Sequence, residues 1–204
     1  MLSLVIISTL YQKCTFFQSP NWPRRSGGTV RGMPIYALGD SKPNIHPDAF
    51  VHPDATVIGN VTIGAETTIW PQAVLRGDYG EIHIGERTSI QDGTVVHCTA
   101  VLPTIVGDDC VVGHLAHLEC CIVENGSLVG SNSVVLHRAI VRSGALVAGS
   151  AFVPNGMEIP SGAMAMGVPA KLKFDAVDPA SIAEMAKGYV ENGYRYRTEM
   201  RRLD

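Results

Sequence analysis

Three side chains that could bind a divalent metal fall within a short stretch of the chain: His97, His114 and Glu119. Two imidazoles and one carboxylate suit Zn²⁺ with a fourth position left open, or another borderline divalent metal such as iron or cobalt. Such an ion lowers the pKa of bound water from 15.7 to about 7, which produces a nucleophile at neutral pH. These residues therefore indicate a site that activates water.

The elements that must position these residues follow a six-residue repeat. Aliphatic residues recur every six positions from Ile45 to Leu75 and again from Val123 to Ile159, with three irregular steps between these two runs. A small side chain follows most of them four residues later, and glycine, expected to supply unusual backbone angles, follows several directly. The pattern predicts an all-β solenoid in which three short strands close a triangular coil of about 18 residues.

The register of this solenoid predicts which residues stack on one another. Three steps return the chain to the same side, so Arg76, His97 and Glu119 should form one outward-facing column. The nine-residue and ten-residue steps keep this register if each adds a loop without adding a side. Asp92 and His114 occupy equivalent positions at a different corner. His114 therefore cannot easily join the other two within one chain, but a neighbouring subunit in a trimer of parallel solenoids could deliver it.

The C-terminal residues change from this repeat to a helical pattern. Asp178-Pro179 is a plausible helix start, and Asn192-Gly193 marks a point where the helix could kink. The helix is expected to pack along the solenoid and to cover its final coil, whose edge would otherwise be exposed. The predicted units are residues 33–173 for the solenoid and 174–204 for the helix. Apolar residues recur at helical spacing at Ile182, Met185, Ala186, Tyr189 and Val190.

Composition excludes several classes of function. The formal net charge of −3 gives no basic surplus for binding nucleic acid. No apolar run reaches 18 residues, so no membrane-spanning helix is expected. The five cysteines show no CxxC spacing, which favours a reducing, cytoplasmic location.

Residues 1–32 differ from the rest of the chain because they hold four basic residues and no acidic residue. The interpretations are a start codon placed too far upstream, with Met33 as the true beginning, or a transit or other functional tail. This extension is expected to be disordered and is left out of the fold prediction.

The motifs around the candidate ligands resemble a known family. The resemblance rests on Leu75-Arg-Gly-Asp78, Ile90-Gln-Asp-Gly93, Val96-His97, Val112-Gly-His114 and the ending Gly167-Val-Pro-Ala-Lys171. Together they resemble the γ-class carbonic anhydrase-like proteins over about residues 33–204. The resemblance implies a left-handed parallel β-helix that assembles as a homotrimer. It also implies one zinc per subunit, held at a subunit interface by two histidines of one chain and a third from its neighbour.

The match to this ligand set is incomplete. His97 and His114 match two of the family's histidines, whereas Glu119 stands where the third is expected. A carboxylate also binds zinc, but its charge should make the bound water less acidic than three imidazoles would. His117 lies close by as an alternative ligand, and loss of the metal altogether is the remaining possibility. Ser89 replaces a frequent asparagine of the family, which weakens the expected contacts to substrate.

The resemblance also implies roles for residues beside the ligands. Arg76 and Asp78 would form an ion pair that helps to build the subunit interface, and Gln91 and Asp92 would lie near the bound water and orient it. Arg76 is also a candidate member of the catalytic site.

Several other residues of chemical interest are expected to have structural roles. Tyr194 or Tyr196 could reach the site from the helix, although a solvent-facing position is the preferred interpretation. Cys98 and Cys120 could be ligands or a redox pair, but the preferred interpretation is two small residues at corners. Four histidines are expected on the exterior without a role: His46, His52, His83 and His137.

Three functions compete on this basis. The first is a metal-dependent lyase that hydrates CO₂ to bicarbonate, weak because of Glu119 and because the loop at residues 78–82 is short. The second is a hexapeptide-repeat acyltransferase, or a thioesterase, acting on acyl-CoA with a histidine as base. The third is a non-catalytic trimeric scaffold or small-ligand binder.

Overall fold

The computed structural model describes residues 34–203. The extension at residues 1–32 lies outside the described residues. Within them the chain forms a parallel β-solenoid of about seven turns, followed by one α-helix. This confirms the predicted all-β solenoid with a C-terminal helix.

Twenty strands, most of them two or three residues long, are formed within residues 34–203. In chain order they are β1 (Ile35–Tyr36), β2 (Asn44–Ile45), β3 (Phe50–Val51), β4 (Thr56–Ile63), β5 (Thr68–Ile69), β6 (Val74–Ile84), β7 (Ser89–Ile90), β8 (Val95–His97), β9 (Thr104–Val106), β10 (Val111–Val112), β11 (His117–Glu119), β12 (Ile122–Val123), β13 (Leu128–Val129), β14 (Val134–Val135), β15 (Ile140–Val141), β16 (Leu146–Val147), β17 (Phe152–Val153), β18 (Glu158–Ile159), β19 (Met164–Met166) and β20 (Lys171–Lys173).

Hydrogen bonding sorts these strands into the three sides of a prism. The first side stacks β6, β8, β11, β14 and β17, and the second stacks β6, β9, β12, β15 and β18. The long strands β4 and β6 run through both of these sides. The third side stacks β3, β5, β7, β10, β13, β16 and β19. All of these pairs are parallel, as the coiling requires.

The core is a narrow column of aliphatic side chains inside the prism. Leu75, Val96 and Leu118 pair in register on the first side, and each is fully buried. Burying one such side chain stabilises the fold by roughly 1.5–3 kcal/mol. The small residues predicted at the corners are buried as well, among them Ala73, Thr94, Ala116, Ser133 and Ala151.

The expected role of the glycines that follow the aliphatic residues is wrong. Gly64 does not have a positive φ; instead, a Cβ there would lie 2.6 Å from the carbonyl carbon of Gly85 on the next coil. Such glycines are needed because stacked coils approach closely. The left-handed conformation falls instead on the residue before most of the buried small side chains, where it costs roughly 1–2 kcal/mol for a residue other than glycine. Examples are Glu66, Gln72, Arg87, Asp109, Leu115 and Asn132.

The two longer steps of the repeat add loops and leave the register of the coils intact. The pairing of β4 with β6 shifts after Gly59: residues 78–81 lie opposite the single residue Asn60, so β6 carries three extra residues. The next coil holds a second loop, within which Thr99 bridges to Leu102. Both loops lie where the first side passes into the second, so this corner differs from the other two.

One helix, α1 (Pro179–Glu199), follows the solenoid and packs against β3, β5, β7 and β10 on the third side. Asp178 caps it by accepting a hydrogen bond from the amide of Ala180 at 3.0 Å. The helix continues through Asn192-Gly193 without interruption. Gly193 is buried, and a Cβ there would lie 2.6 Å from Cγ2 of Thr68. Glycine is therefore needed for close packing of the helix.

The final coil is covered by a strand. β20 turns back and pairs antiparallel with β19, with Ala165 opposite Leu172. The expectation that the helix covers this coil is wrong, because α1 lies along the side of the prism. Among the described residues, no helix combines the length and the hydropathy needed to cross a membrane.

Candidate functional site

The predicted column of polar residues is present on the first side. Arg76 in β6 pairs with His97 in β8, and His97 pairs with Glu119 in β11. Leu118 points into the core, so its neighbours in the strand, His117 and Glu119, point outward. Stacking at about 4.8 Å thus brings these side chains into contact.

His97 lies between two carboxylates. Its Nδ1 is 3.1 Å from Oε1 of Glu119, and its Nε2 is 3.0 Å from Oδ1 of Asp78. The side chain of His97 is only 15% exposed, so both contacts are largely shielded from water. The predicted ligands His97 and Glu119 are therefore brought together within one chain.

Arg76 and Asp78 form the predicted ion pair. The guanidinium of Arg76 donates to Oδ2 of Asp78, while the other oxygen of Asp78 faces His97. Burial would raise the pKa of Asp78, but the hydrogen bonds from His97 and Arg76 outweigh burial and lower it. Asp78 is thus held as a carboxylate against the imidazole.

Glu119 has two further imidazoles around it. Its Oε2 lies 3.1 Å from Nε2 of His117, and its Oε1 lies 3.9 Å from Nε2 of His137. Burial would raise the pKa of Glu119, but the contacts with His97 and His117 outweigh it and lower the pKa. His137, expected on the exterior without a role, instead contributes to this cluster from the next coil.

His114 lies at another corner of the prism, as predicted. It follows β10, and its Nδ1 is 2.9 Å from Oδ2 of Asp92 one coil away. The side chain of His114 is 53% exposed. Gln91, beside Asp92, is largely buried. The structure thus brings Asp92 to His114, away from the corner of His97.

The candidate ligands therefore form two groups within one chain. His97 and Glu119 share one corner with Asp78, His117 and His137, whereas His114 lies at the opposite end of β11. In residues 34–203, no three His, Cys, Asp or Glu side chains are arranged to hold a metal ion.

Thr104 is a positioning contact that sequence reasoning missed. Its buried hydroxyl donates to the carbonyl of His97 and accepts a hydrogen bond from the amide of Cys120 at 2.7 Å. One side chain thus fixes the backbone beside both His97 and Glu119. Its position near the end of the ten-residue step from Val96 to Val106 was the one sequence feature that pointed to it.

The cysteines near the motifs are buried thiols beside the candidate ligands, and the tyrosines lie on the third side. Cys98 and Cys120 are free and buried, and burial raises the pKa of Cys98, which keeps it a thiol. Tyr194 donates to Glu66 on the third side. Tyr196 packs against Trp70 with ring centroids 5.0 Å apart. Neither tyrosine reaches His97.

Comparison with known proteins identifies first the class and then the family. Residues 42–77 match the family described as bacterial transferase hexapeptide (six repeats). A carbonic anhydrase of Geobacillus kaustophilus is 39% identical over 165 residues, which cover 80% of this chain and 91% of the relative. The carnitine operon protein CaiE of a Proteus strain is 42% identical over 72% of this chain and 74% of the relative. The chain belongs to the γ-class carbonic anhydrase-like family of hexapeptide-repeat proteins.

A solved structure supports the hexapeptide-repeat fold. The hexapeptide transferase family protein from Anaplasma phagocytophilum is 31% identical, with a TM-score of 0.75. The match covers 80% of this chain and 98% of that one. Relatives of similar fold thus carry names from two different chemistries.

Proposed function

We propose that this chain is a metal-dependent hydratase that converts CO₂ to bicarbonate at a site shared between subunits of a homotrimer. His97 and Glu119 of one subunit, with His114 of its neighbour, would hold one zinc, iron or cobalt ion per subunit. The observation that carries the proposal is the contact of His97 with Glu119 at one corner, 3.1 Å between Nδ1 and Oε1. Similarity to the Geobacillus carbonic anhydrase supports the choice of reaction.

The donor set fits a divalent metal when two chains contribute to it. His114 has Asp92 on Nδ1, and no hydrogen bond to its Nε2 is formed within residues 34–203. An imidazole with a carboxylate on one nitrogen is the usual arrangement of a zinc ligand. His114 is also exposed enough to meet a second chain. The bound metal would supply a water activated for attack on CO₂ at neutral pH.

The roles of the chain's own residues follow from their positions. Asp92 orients His114 toward the neighbouring subunit, and Gln91 beside it contributes to the wall of the shared site. Arg76 holds Asp78 at the edge of the same side of the prism. Glu119 would place a negative charge on the metal that a third histidine would not, and this charge should make the metal-bound water less acidic. We therefore expect slow hydration of CO₂.

The first experiment measures metal content and CO₂ hydration in the purified oligomer, prepared without added metal. We expect close to one metal ion per chain in the natural sequence and in His83→Ala, a control histidine on the exterior of β6. His97→Ala and His114→Ala should lose both metal and activity. An intact oligomer that contains no metal would refute the proposal.

A second experiment tests whether the site is shared between chains. Subunits carrying His97→Ala and subunits carrying His114→Ala are co-expressed with two different tags, and the mixed oligomers are purified. A shared site predicts that metal binding and activity return in the mixed oligomers. A site built within one chain would stay empty in every mixture.

An acyl-CoA-dependent reaction is the second candidate, and one observation favours it. A histidine between two carboxylates, as His97 is, resembles a general base with an orienting partner. The transferase name of the Anaplasma relative points the same way. Turnover of acetyl-CoA by protein treated with a chelator, lost in His97→Ala, would support this candidate over hydration of CO₂.

A further inference from the structure

The ring orientation of His97 has a chemical consequence. A metal ligand histidine must keep its proton on one nitrogen and present the other, and the group bonded to the ring decides which nitrogen that is. In this chain each nitrogen of His97 faces a different carboxylate, Asp78 at Nε2 and Glu119 at Nδ1. Only one of the two carboxylates can keep its contact when a metal binds.

Asp78 is the carboxylate that is fixed in place. Arg76 binds one oxygen of Asp78, and the other faces Nε2 of His97. Asp78 is also well shielded, with 17% of its side chain exposed. Glu119 is surrounded by imidazoles instead: its oxygens face His97, His117 and, at 3.9 Å, His137. Glu119 is thus the more easily redirected toward an ion.

We propose that Asp78, held by Arg76, is a positioning residue that keeps the proton on Nε2 of His97 and turns Nδ1 toward the metal. This inference rests on the proposed function. It gives the Arg76–Asp78 pair a role inside one subunit in addition to the expected role at the interface. His114 would use the opposite nitrogen, because Asp92 occupies its Nδ1. The two histidines would therefore bind the ion through different ring atoms.

The test uses the full chain labelled with ¹⁵N at histidine, in metal-free and zinc-loaded forms. Long-range ¹H–¹⁵N correlation spectra report which ring nitrogen carries the proton, and comparison with His97→Gln identifies the signal of His97. In the natural sequence we expect a protonated Nε2 in both forms. In Asp78→Ala the proton should move to Nδ1, where Glu119 remains as acceptor.

Zinc affinity gives a second readout. Loss of such a carboxylate lowers metal affinity by about 10–100-fold, and we expect this range for Asp78→Ala. Glu81→Ala is the matched control, because it removes a carboxylate from the same loop that has no hydrogen bond to His97 in the described residues. Asp78→Asn, which keeps an acceptor oxygen, should retain much of the affinity and serves if Asp78→Ala does not assemble.

The outcomes separate this inference from the proposed function. Zinc attached to Nε2 of His97, or a ring proton that stays on Nε2 in metal-free Asp78→Ala, would overturn the positioning role even if the protein hydrates CO₂. A protein that binds no zinc would refute the proposed function. The spectra of the metal-free forms would still decide whether Asp78 controls the proton of His97.

Discussion

The coils around His97 and those between β12 and β19 are built from the same repeat but treat charge differently. In the later coils the strands pair at a constant spacing, and Arg142 lies between Glu124 and Glu158 at 2.7 and 2.8 Å. Around His97 two extra loops interrupt the repeat, and imidazoles share carboxylates across coils. The regular coils hold Arg142 between two glutamates, whereas the corner of His97 gathers several imidazoles around two carboxylates. The imidazole cluster thus lies where the sequence departs from the six-residue period.

The largest expected effect comes from a matched pair of core substitutions, one in each region. Leu118 and Ile159 are both fully buried. Leu118→Ala and Ile159→Ala should each lower the free energy of unfolding by about 2–5 kcal/mol, measured by denaturant titration. Only Leu118→Ala should also weaken metal binding, because Leu118 anchors β11 in the core directly before Glu119. Equal metal affinities in the two variants would contradict the comparison.

The second-largest expected effect is a loss of metal affinity without a loss of thermal stability. Asp92→Ala removes the carboxylate on Nδ1 of His114, so metal affinity should fall by about 10–100-fold while the melting temperature hardly changes. Metal affinity and melting temperature are measured on the same protein preparations. Glu158→Ala in the regular coils is the control and should leave metal affinity as it is. A parallel loss of affinity in Glu158→Ala would show that the two regions are not distinct.

Glu119→His tests the departure from the family's ligand set. Replacing the carboxylate by a neutral imidazole removes negative charge beside the metal, which makes the bound water more acidic. We expect about a tenfold gain in kcat for CO₂ hydration, equivalent to ~1.4 kcal/mol in the barrier. A fall in kcat at full metal occupancy would mean that Glu119 has a role that histidine cannot fill.

The smallest effect concerns acid stability in the regular coils. The hydrogen bond from Arg142, the largest cause, lowers the pKa of Glu124 below its ordinary value of 4.5. A lowered pKa in the folded state means that the contribution is present above pH 4.5 and is lost as the pH falls through the lower value. Glu124→Gln should therefore cost at most about 1 kcal/mol at pH 7 and nothing in strong acid. Denaturant titrations at both pH values check this, and a constant difference would contradict it.

Much of the fold could be predicted because the repeat is a property of spacing alone. The stacking of Arg76, His97 and Glu119 followed from counting sides, and the placement of His114 at another corner followed in the same way. The position of the helix could not be predicted by counting sides, because its apolar face could pack against any side of the prism. Tyr196 settles on the third side because Phe50 and Trp70 offer aromatic partners there. Strand β20 was not predicted, because a strand of three residues is too short to show a periodic pattern.

The site was predicted less completely than the fold. Counting sides gives the column of a residue but not the direction of its side chain within a loop. Asp78 lies at the start of an extra loop, so its contact with His97 depended on a turn that the repeat does not encode. His137 was missed because it lies one coil beyond Glu119 and belongs to none of the motifs. Asp92, in contrast, was placed correctly at the corner of His114, and the structure brings the two side chains into contact.

The regular spacing of the later coils makes their number adjustable. Ile122 pairs with Ile140, and Ile140 with Glu158, so each coil offers the next the same eighteen-residue frame. Removing or duplicating one whole frame after the coil that holds His137 would rejoin like surfaces and leave both the His97 corner and the β20 cap unchanged. These coils therefore act as a spacer that sets the separation of the two ends in steps of about 4.8 Å. Proteins of different height could share one site.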